Sequence, residues 1–181
     1  FTHLHLHTEY SLLDGAIRLK DLPQRLKDLD MTACAMTDHG SMFGLVDFYE
    51  TMTDAGLHPI LGVEVYVAMD SLYSKDVQDR GQYHLVLLAE TDEGLRNLYR
   101  LVSLAHVEGY YYRPRVDREA LAKYSEGIIA LSACLSGEVP VAIMNGELQK
   151  AREIALWYRD TFGKDNYFLE VQANQMPEQL R

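Results

Sequence analysis

Residues 33–68, ACAMTDHGSMFGLVDFYETMTDAGLHPILGVEVYVA, hold a whole strand–loop–helix–strand unit. Ala33 to Thr37 is a short apolar run of strand length, and Asp38-His39-Gly40 follows it as a polar loop. Met42 to Ala55 reads as a helix that closes at Gly56, a residue suited to helix ends because it accepts left-handed backbone. Ile60 to Ala68 then returns to an apolar run rich in β-branched residues. A strand that leads through a helix to the next strand is the unit of α/β architecture with a largely parallel sheet.

The same alternation extends to both sides. Phe1 to Thr8 reads as a strand with a polar turn at Asp14-Gly15, and Leu19, Leu22, Leu26 and Leu29 recur at helical spacing, with Pro23 near the start of that helix. Met69 to Gln82 is polar and aperiodic, which predicts a surface loop or insertion. Tyr83 to Ala89 is a buried strand, and Thr91 is the expected N-cap of a helix through Leu95, Leu98, Val102 and Ala105. Tyr110 to Val116 reads as a loop. Gly127 to Cys134 reads as a strand, Glu138 to Met144 as a short helix ending at Asn145-Gly146, Glu147 to Phe162 as a longer helix, and Tyr167 to Val171 as the last strand. No repeat or low-complexity segment interrupts the series. Sheets of this kind present their sites where the strands end.

Unusual residues fall at those ends. On a strand, His3, His5 and His7 share one face, and convergent imidazoles suit zinc, iron and related cations. A tag remnant would not interleave Leu4 and Leu6 or continue into Thr8-Glu9-Tyr10-Ser11. Asp14 alone is ordinary turn chemistry. The pair Asp38-His39 offers either a ligand with the carboxylate that orients it or a capping Asp beside an exposed His. Glu64 stands in an apolar strand, where a carboxylate is costly to bury without a cation; were one face exposed, it would point to water and leave Val63 and Val65 as the buried set.

His84 at a strand start is more often structural than functional. Cys134 ends a strand and offers either a thiolate for a soft metal or a small buried hydrophobe, the second reading fitting Cys34 better. His58 and His106 are read as structural or solvated. The run Tyr110-Tyr111-Tyr112-Arg113 has groups that could stack on bases and grip a phosphate, or pack on their own domain. Clustered imidazole, carboxylate and thiol groups at successive strand ends fit a multinuclear site, and such sites hydrolyse phosphate esters by activating water and clamping the departing oxygen. No Gly-rich phosphate loop or nucleophile elbow is present.

The 181 residues suffice for one domain with a sizeable core. A formal charge of -10, with Lys and Arg scattered, lacks the basic stripe of a nucleic-acid-binding surface, although metal cations can supply local positive charge. Two widely separated cysteines outside any C-x-x-C pair exclude a disulfide framework and a zinc ribbon. With no apolar run near the ~20 residues of a membrane span, a cytoplasmic protein without membrane contact is expected.

His5-Leu6-His7-Thr8 with Ser11-Leu12-Leu13-Asp14-Gly15, then Thr37-Asp38-His39-Gly40, Gly62-Val63-Glu64-Val65-Tyr66 and Leu131-Ser132-Ala133-Cys134-Leu135, resembles the PHP (polymerase and histidinol phosphatase) domain, in the form carried by the alpha subunit of bacterial replicative polymerases. The first motif and Tyr112-Arg113-Pro114-Arg115-Val116-Asp117 are closer to that branch than to histidinol phosphatases. The resemblance implies a distorted (β/α)7 barrel of which residues 1–181 form the N-terminal part, ending before the closing strand and a late Asn-Asp-x-His motif with further ligands. It implies two or three divalent metals (Zn, Mn, Fe or Mg) held by His5, His7, Asp14, His39, Glu64, His84 and Cys134, the first five being catalytic, with His3 and Asp38 orienting ligands. It further implies DNA replication with 3′–5′ exonuclease activity. The implied partners are DNA, reached through the full-length polymerase, and the sliding clamp, proofreading subunit and clamp loader. The alternatives are a catalytically silent module that docks the proofreading subunit and a free-standing phosphatase.

Overall fold

The computed structural model describes residues 1–12, 14–174 and 176–180, with only the backbone of Gln179 and Leu180. Leu13 of the Ser11–Gly15 motif, and Gln175 and Arg181 in the polar C-terminal stretch, lie outside the described residues. Helix α1 (Leu22–Asp28), strand β1 (Ala33–Met36), α2 (Leu45–Asp54) and β2 (His58–Ala68) form the unit anticipated from residues 33–68, with β1 and β2 parallel. There follow β3 (Gln82–Ala89), α3 (Asp92–Val107), β4 (Arg115–Val116), α4 (Arg118–Lys123), β5 (Ile128–Leu131), α5 (Glu138–Met144), α6 (Leu148–Phe162) and β6 (Tyr167–Phe168). As expected, Thr91 caps α3, its side chain accepting from the Gly94 N–H.

The strands form one open, six-stranded sheet in the order β1-β2-β3-β5-β6, with β4 on β2. The described residues do not close it into a seven-stranded barrel. The sheet is largely parallel, as expected, with one exception: β3 runs antiparallel to both β2 and β5, while the other five strands share one direction. The reason is the connection: residues 69–81 carry only a 3-10 turn at Val77–Arg80 and no crossover helix, so the chain turns back on itself as antiparallel strands allow. β2 is long, and opposite β3 its other edge is shared by β1, by a bridge between Glu64 and His39, and by β4.

Phe1 to Thr8 is not a regular strand. The segment follows β1 through a His3–Cys34 bridge and the Thr37 N–H bond to the Leu6 carbonyl, but bends at Leu4 and His5, which breaks the alternation that would have aligned His3 with His5 and His7. The last strand is likewise shorter than expected, Phe168 being its final paired residue.

Alternation divides the sheet's two faces. Val63, Val65, Val67, Leu85 and Leu87 join the main core with Phe48, Met52, Leu98, Leu101 and Tyr158 of the helices. The other face carries a small apolar patch of Ala35, Val86, Leu88, Leu131 and Ala133, and by the same alternation Glu64 and His84 belong to this face. Antiparallel pairing sets His84 opposite Tyr66 near the carboxyl end of β2, so a residue at the start of a strand still reaches the site.

The segment Tyr110–Val116 ends in β4 instead of being loop throughout, and Arg115 explains its position. This arginine is fully buried. Its guanidinium donates to the carbonyls of Gly109, Leu72, Ser74 and Asp79, tying residues 72–79 to β4. Arg115→Ala is expected to destabilise the fold by about 3 kcal/mol or more, since several buried carbonyls lose a charged donor, and Arg115→Lys to recover little because an ammonium lacks the planar fork. Urea unfolding measures this, and a loss below about 1 kcal/mol would mean that water replaces the guanidinium.

Candidate metal centre

The centre is built around Glu64, which is 1% exposed. Its backbone N–H donates to the Asp38 carbonyl and its carbonyl accepts from Gly40, so the Asp38–Gly40 loop lies directly along β2. Glu64 Oε2 lies 3.2 Å from His5 Nε2, 3.0 Å from His7 Nε2 and 3.1 Å from His39 Nδ1. Oε1 lies 3.0 Å from His84 Nδ1. Imidazoles from three separate parts of the chain therefore converge on one buried carboxylate. Asp14 joins from the side: Oδ2 is 2.9 Å from His39 Nε2, and Oδ1 accepts from the Ser11 hydroxyl and is 4.0 Å from His7 Nδ1.

Cys134 completes the ring. Ala133 before it takes φ 61°, a left-handed conformation that non-glycine residues seldom adopt and that marks a constrained position. The turn brings Sγ within 3.7 Å of His84 Nδ1 and 4.0 Å of Glu64 Oε1. All seven residues singled out as ligands line one cleft of about 1160 Å³. Cys34, by contrast, is a buried, free thiol in β1 whose pKa burial pushes up to about 11, as its reading as a small hydrophobe required.

Three overlapping groups place donor atoms close enough to share an ion: His5, His7 and Glu64; His7, Asp14 and His39; and His39, Glu64 and His84. Cys134 belongs to none of them. The donor set fits divalent cations that accept nitrogen and oxygen. So does His39 Nδ1, which is buried without a hydrogen bond despite its nearness to Glu64.

The electrostatics follow from burial opposed by pairing. Burial disfavours the charged form of His5, but hydrogen bonds to Glu170 and Glu64 outweigh it and push the pKa up to about 10. His84 behaves likewise, burial being overcome by Cys134 and Glu64, and rises to about 9. For Glu64 burial favours the neutral acid, yet His5, His7 and His84 hold the carboxyl far below the usual range. His39 is lowered, mainly by burial. Cys134 resists burial through His84 and the Ser136 N–H, and its pKa falls below the ordinary thiol value.

Several expectations are not met. His3 stands outside the cluster, exposed and edge-on to Phe1, because of the bend after it. Asp38 does not orient a histidine ring; it is buried and accepts from the Thr8 N–H and hydroxyl, which fixes the backbone just after His7. The His106 Nε2–H donates to the Gly40 carbonyl at 2.9 Å, and His58 is exposed, both as read.

Sequence reasoning missed Glu170. Its Oε1 is 2.7 Å from His5 Nδ1 and accepts from Gln172, while Oε2 is buried without a partner. This carboxylate turns His5 so that Nε2 faces Glu64, an arrangement that fixes ring orientation at metal sites. The signal was available, since Glu170 interrupts the apolar run Phe168-Leu169-Glu170-Val171 just as Glu64 interrupts its own strand.

Residues 3–174 match the sequence model of a family described as the PHP domain. The chain is 43% identical over 181 residues to the DNA polymerase III subunit alpha of Borreliella burgdorferi, covering 99% of this chain and 16% of that protein. It is 46% identical over 183 residues to the protein of that name in Treponema pallidum, covering all of this chain and 16% of the relative. For Deinococcus radiodurans the identity is 48% over 190 residues, covering 100% and 14%. The chain thus spans only a small part of the length of the curated relatives it matches. Among solved structures, an amidohydrolase from Chromobacterium violaceum with bound sulfate and no metal superposes with TM-score 0.52 at 16% identity, over 92% of this chain and 84% of that one. A Bifidobacterium adolescentis protein assigned as a metal-dependent phosphoesterase gives TM-score 0.52 at 14% identity, over 98% and 79%. These two likenesses establish the α/β fold. Among the described residues no helix is long and apolar enough to cross a membrane.

Proposed function

The chain belongs to the PHP domain family, and from that premise we propose that it is the N-terminal part of the PHP domain of a bacterial DNA polymerase III alpha subunit, acting as a metal-dependent phosphodiesterase on 3′ ends of DNA. His5, His7, Asp14, His39, Glu64, His84 and Cys134 hold two or three divalent cations in this reading. The observation that carries it is the convergence of four imidazoles and a thiol on buried Glu64. The parent protein polymerises DNA in the cytoplasm, with the sliding clamp, clamp loader and proofreading subunit as partners.

Each residue has a task in this site. Glu64 supplies the anionic centre that two of the three donor groups share. Asp14 and Glu64 flank His39 from opposite ring nitrogens, and Glu170 fixes the direction of His5. Cys134, its thiol pKa lowered by His84 and the Ser136 N–H against burial, stands as a sulfur donor beside His84. The cations, when bound, activate water and neutralise the charge that develops on the departing oxygen.

Elemental mass spectrometry on the wild type and on a His5→Ala, His7→Ala double variant tests this. Roughly two or three divalent ions per chain are expected in the wild type and loss of most of them in the variant, together with hydrolysis of single-stranded DNA ends only by the former. A wild type that takes up no divalent metal would sink the hydrolase reading.

A second reading has one observation in its favour. Glu64 and the imidazoles already satisfy one another, so the cluster can hold the strand ends together as a structural module that docks the proofreading subunit. Metal-loaded protein that binds that subunit but leaves DNA ends intact would favour this alternative.

A further inference from the structure

Arg113 lies one aromatic ring away from the centre and has no established task. Two residues on, Arg115 shows what a structural arginine looks like here: fully buried, with its donors spent on carbonyls. Arg113 is half-buried, and among the described residues its guanidinium makes no ion pair and no hydrogen bond. It rests over the ring of Tyr66, 5.6 Å from the centroid. Tyr66 in turn stacks on His39 at 5.5 Å with an interplanar angle of 10° and meets His84 edge-on. One aromatic ring therefore separates an uncommitted guanidinium from the cluster. Arg18, Arg25 and Arg152 also lie outside any ion pair, but all three stand on open surface.

The loop that presents Arg113 is held in place. The Tyr111 N–H bonds the Arg113 carbonyl at 3.0 Å, and Tyr112 between them takes φ 59°, strained for a residue with a side chain. Pro114 packs on the loop after His39 so closely that a Cβ on Gly40, itself at φ 60°, would come within 2.8 Å of Pro114 Cγ and 3.1 Å of the Tyr66 ring. The His39 loop and the Arg113 turn thus form one rigid rim.

We propose that Arg113 is a substrate-binding residue that grips the phosphate next inward from the reacting ester, so that the centre takes the end of a single-stranded nucleic acid in preference to a small phosphate ester. The inference rests on the phosphodiesterase reading above. A guanidinium presents a planar fork that matches a phosphate's oxygens in bidentate fashion. In a chain of net charge -10 the polyanionic strand is repelled by most of the surface, so an unpaired cation beside the cluster decides where it can lie. A monoester, whose only phosphate sits at the centre, gains nothing from Arg113; a strand with a second phosphate does.

The test compares Arg113→Ala and Arg113→Lys with wild type in the metal-loaded protein, using a single-stranded oligodeoxynucleotide and bis(p-nitrophenyl) phosphate, a diester with one phosphate. Arg113→Ala is expected to raise KM for the oligonucleotide about 10- to 100-fold, with kcat, metal content and turnover of the small diester little changed, and Arg113→Lys to restore part of the loss. An unchanged oligonucleotide KM overturns the proposal, and so does equal loss on both substrates, which marks a structural role. If wild type hydrolyses neither substrate, the phosphodiesterase reading itself has failed and takes this inference with it.

Discussion

Glu64→Gln, which keeps the shape of the side chain and removes its charge, is expected to abolish divalent-metal binding and to reduce phosphodiester hydrolysis on the order of a thousandfold. The reason is position: Glu64 is the shared anion of the groups His5, His7, Glu64 and His39, Glu64, His84, so its loss weakens more than one ion at once. The metal-free protein should suffer as well. A buried carboxylate that meets His5, His7 and His84 at about 3 Å is the counter-ion of a desolvated cluster, and breaking such a pairing costs about 3 to 5 kcal/mol. Gln offers a carbonyl acceptor to one ring and an amide donor that confronts the others. Equilibrium unfolding at neutral pH with chelator present, beside metal analysis and the oligonucleotide assay, measures all three effects. Retained metals at wild-type stoichiometry would remove Glu64 from the ligand set and with it the keystone of the site.

Why Glu64 could be read from sequence and Glu170 was not is a matter of context. Glu64 stands within a long apolar run, Ile60 to Ala68, whose strand character was plain, so an isolated carboxylate there demanded a partner. Glu170 lies two residues beyond the paired part of β6, where the chain is extended but no longer in the sheet, and its environment depends on His5 at the other end of the sequence. Strand identity was legible because burial on one or both faces writes itself into hydrophobic pattern. Strand direction was not: β3 differs from a parallel strand only in how residues 69–81 return the chain, and an aperiodic loop carries no sign of which way it turns. The two-residue β4 lay hidden in a tyrosine run because its pairing is secured by Arg115, a residue whose burial no local pattern announces. The ligand candidates His5, His7, Asp14, His39, Glu64, His84 and Cys134 all reached the cleft; His3 lines it too but stays out of the donor groups, because alternation holds only while the backbone stays a strand.

Metal uptake is expected to be strongly pH-dependent, and in the opposite direction from the stability of the metal-free protein. His5 and His84 have pKa values raised to about 10 and about 9, so both are imidazolium at neutral pH when no metal is present. A cation needs the neutral ring and must displace both protons. Apparent metal affinity should therefore rise up to about 100-fold per pH unit between pH 7 and 9, two protons being released, by about 10-fold between pH 9 and 10 as only His5 still gives one up, and flatten above that. The metal-free fold responds the other way. Groups whose folded pKa exceeds the ordinary value of 6.5 contribute stability that is complete below that value and is lost as pH climbs through about 9 and about 10. With chelator, Tm should thus fall from pH 7 to pH 10. With saturating zinc, the gain in Tm over the chelated protein should widen from pH 7 to pH 9. Calorimetric titrations with zinc in buffers of different ionisation enthalpy count the protons directly. Uptake without proton release at pH 7 would mean that His5 and His84 are neutral in the metal-free protein, and that Glu64 meets them through hydrogen bonds alone.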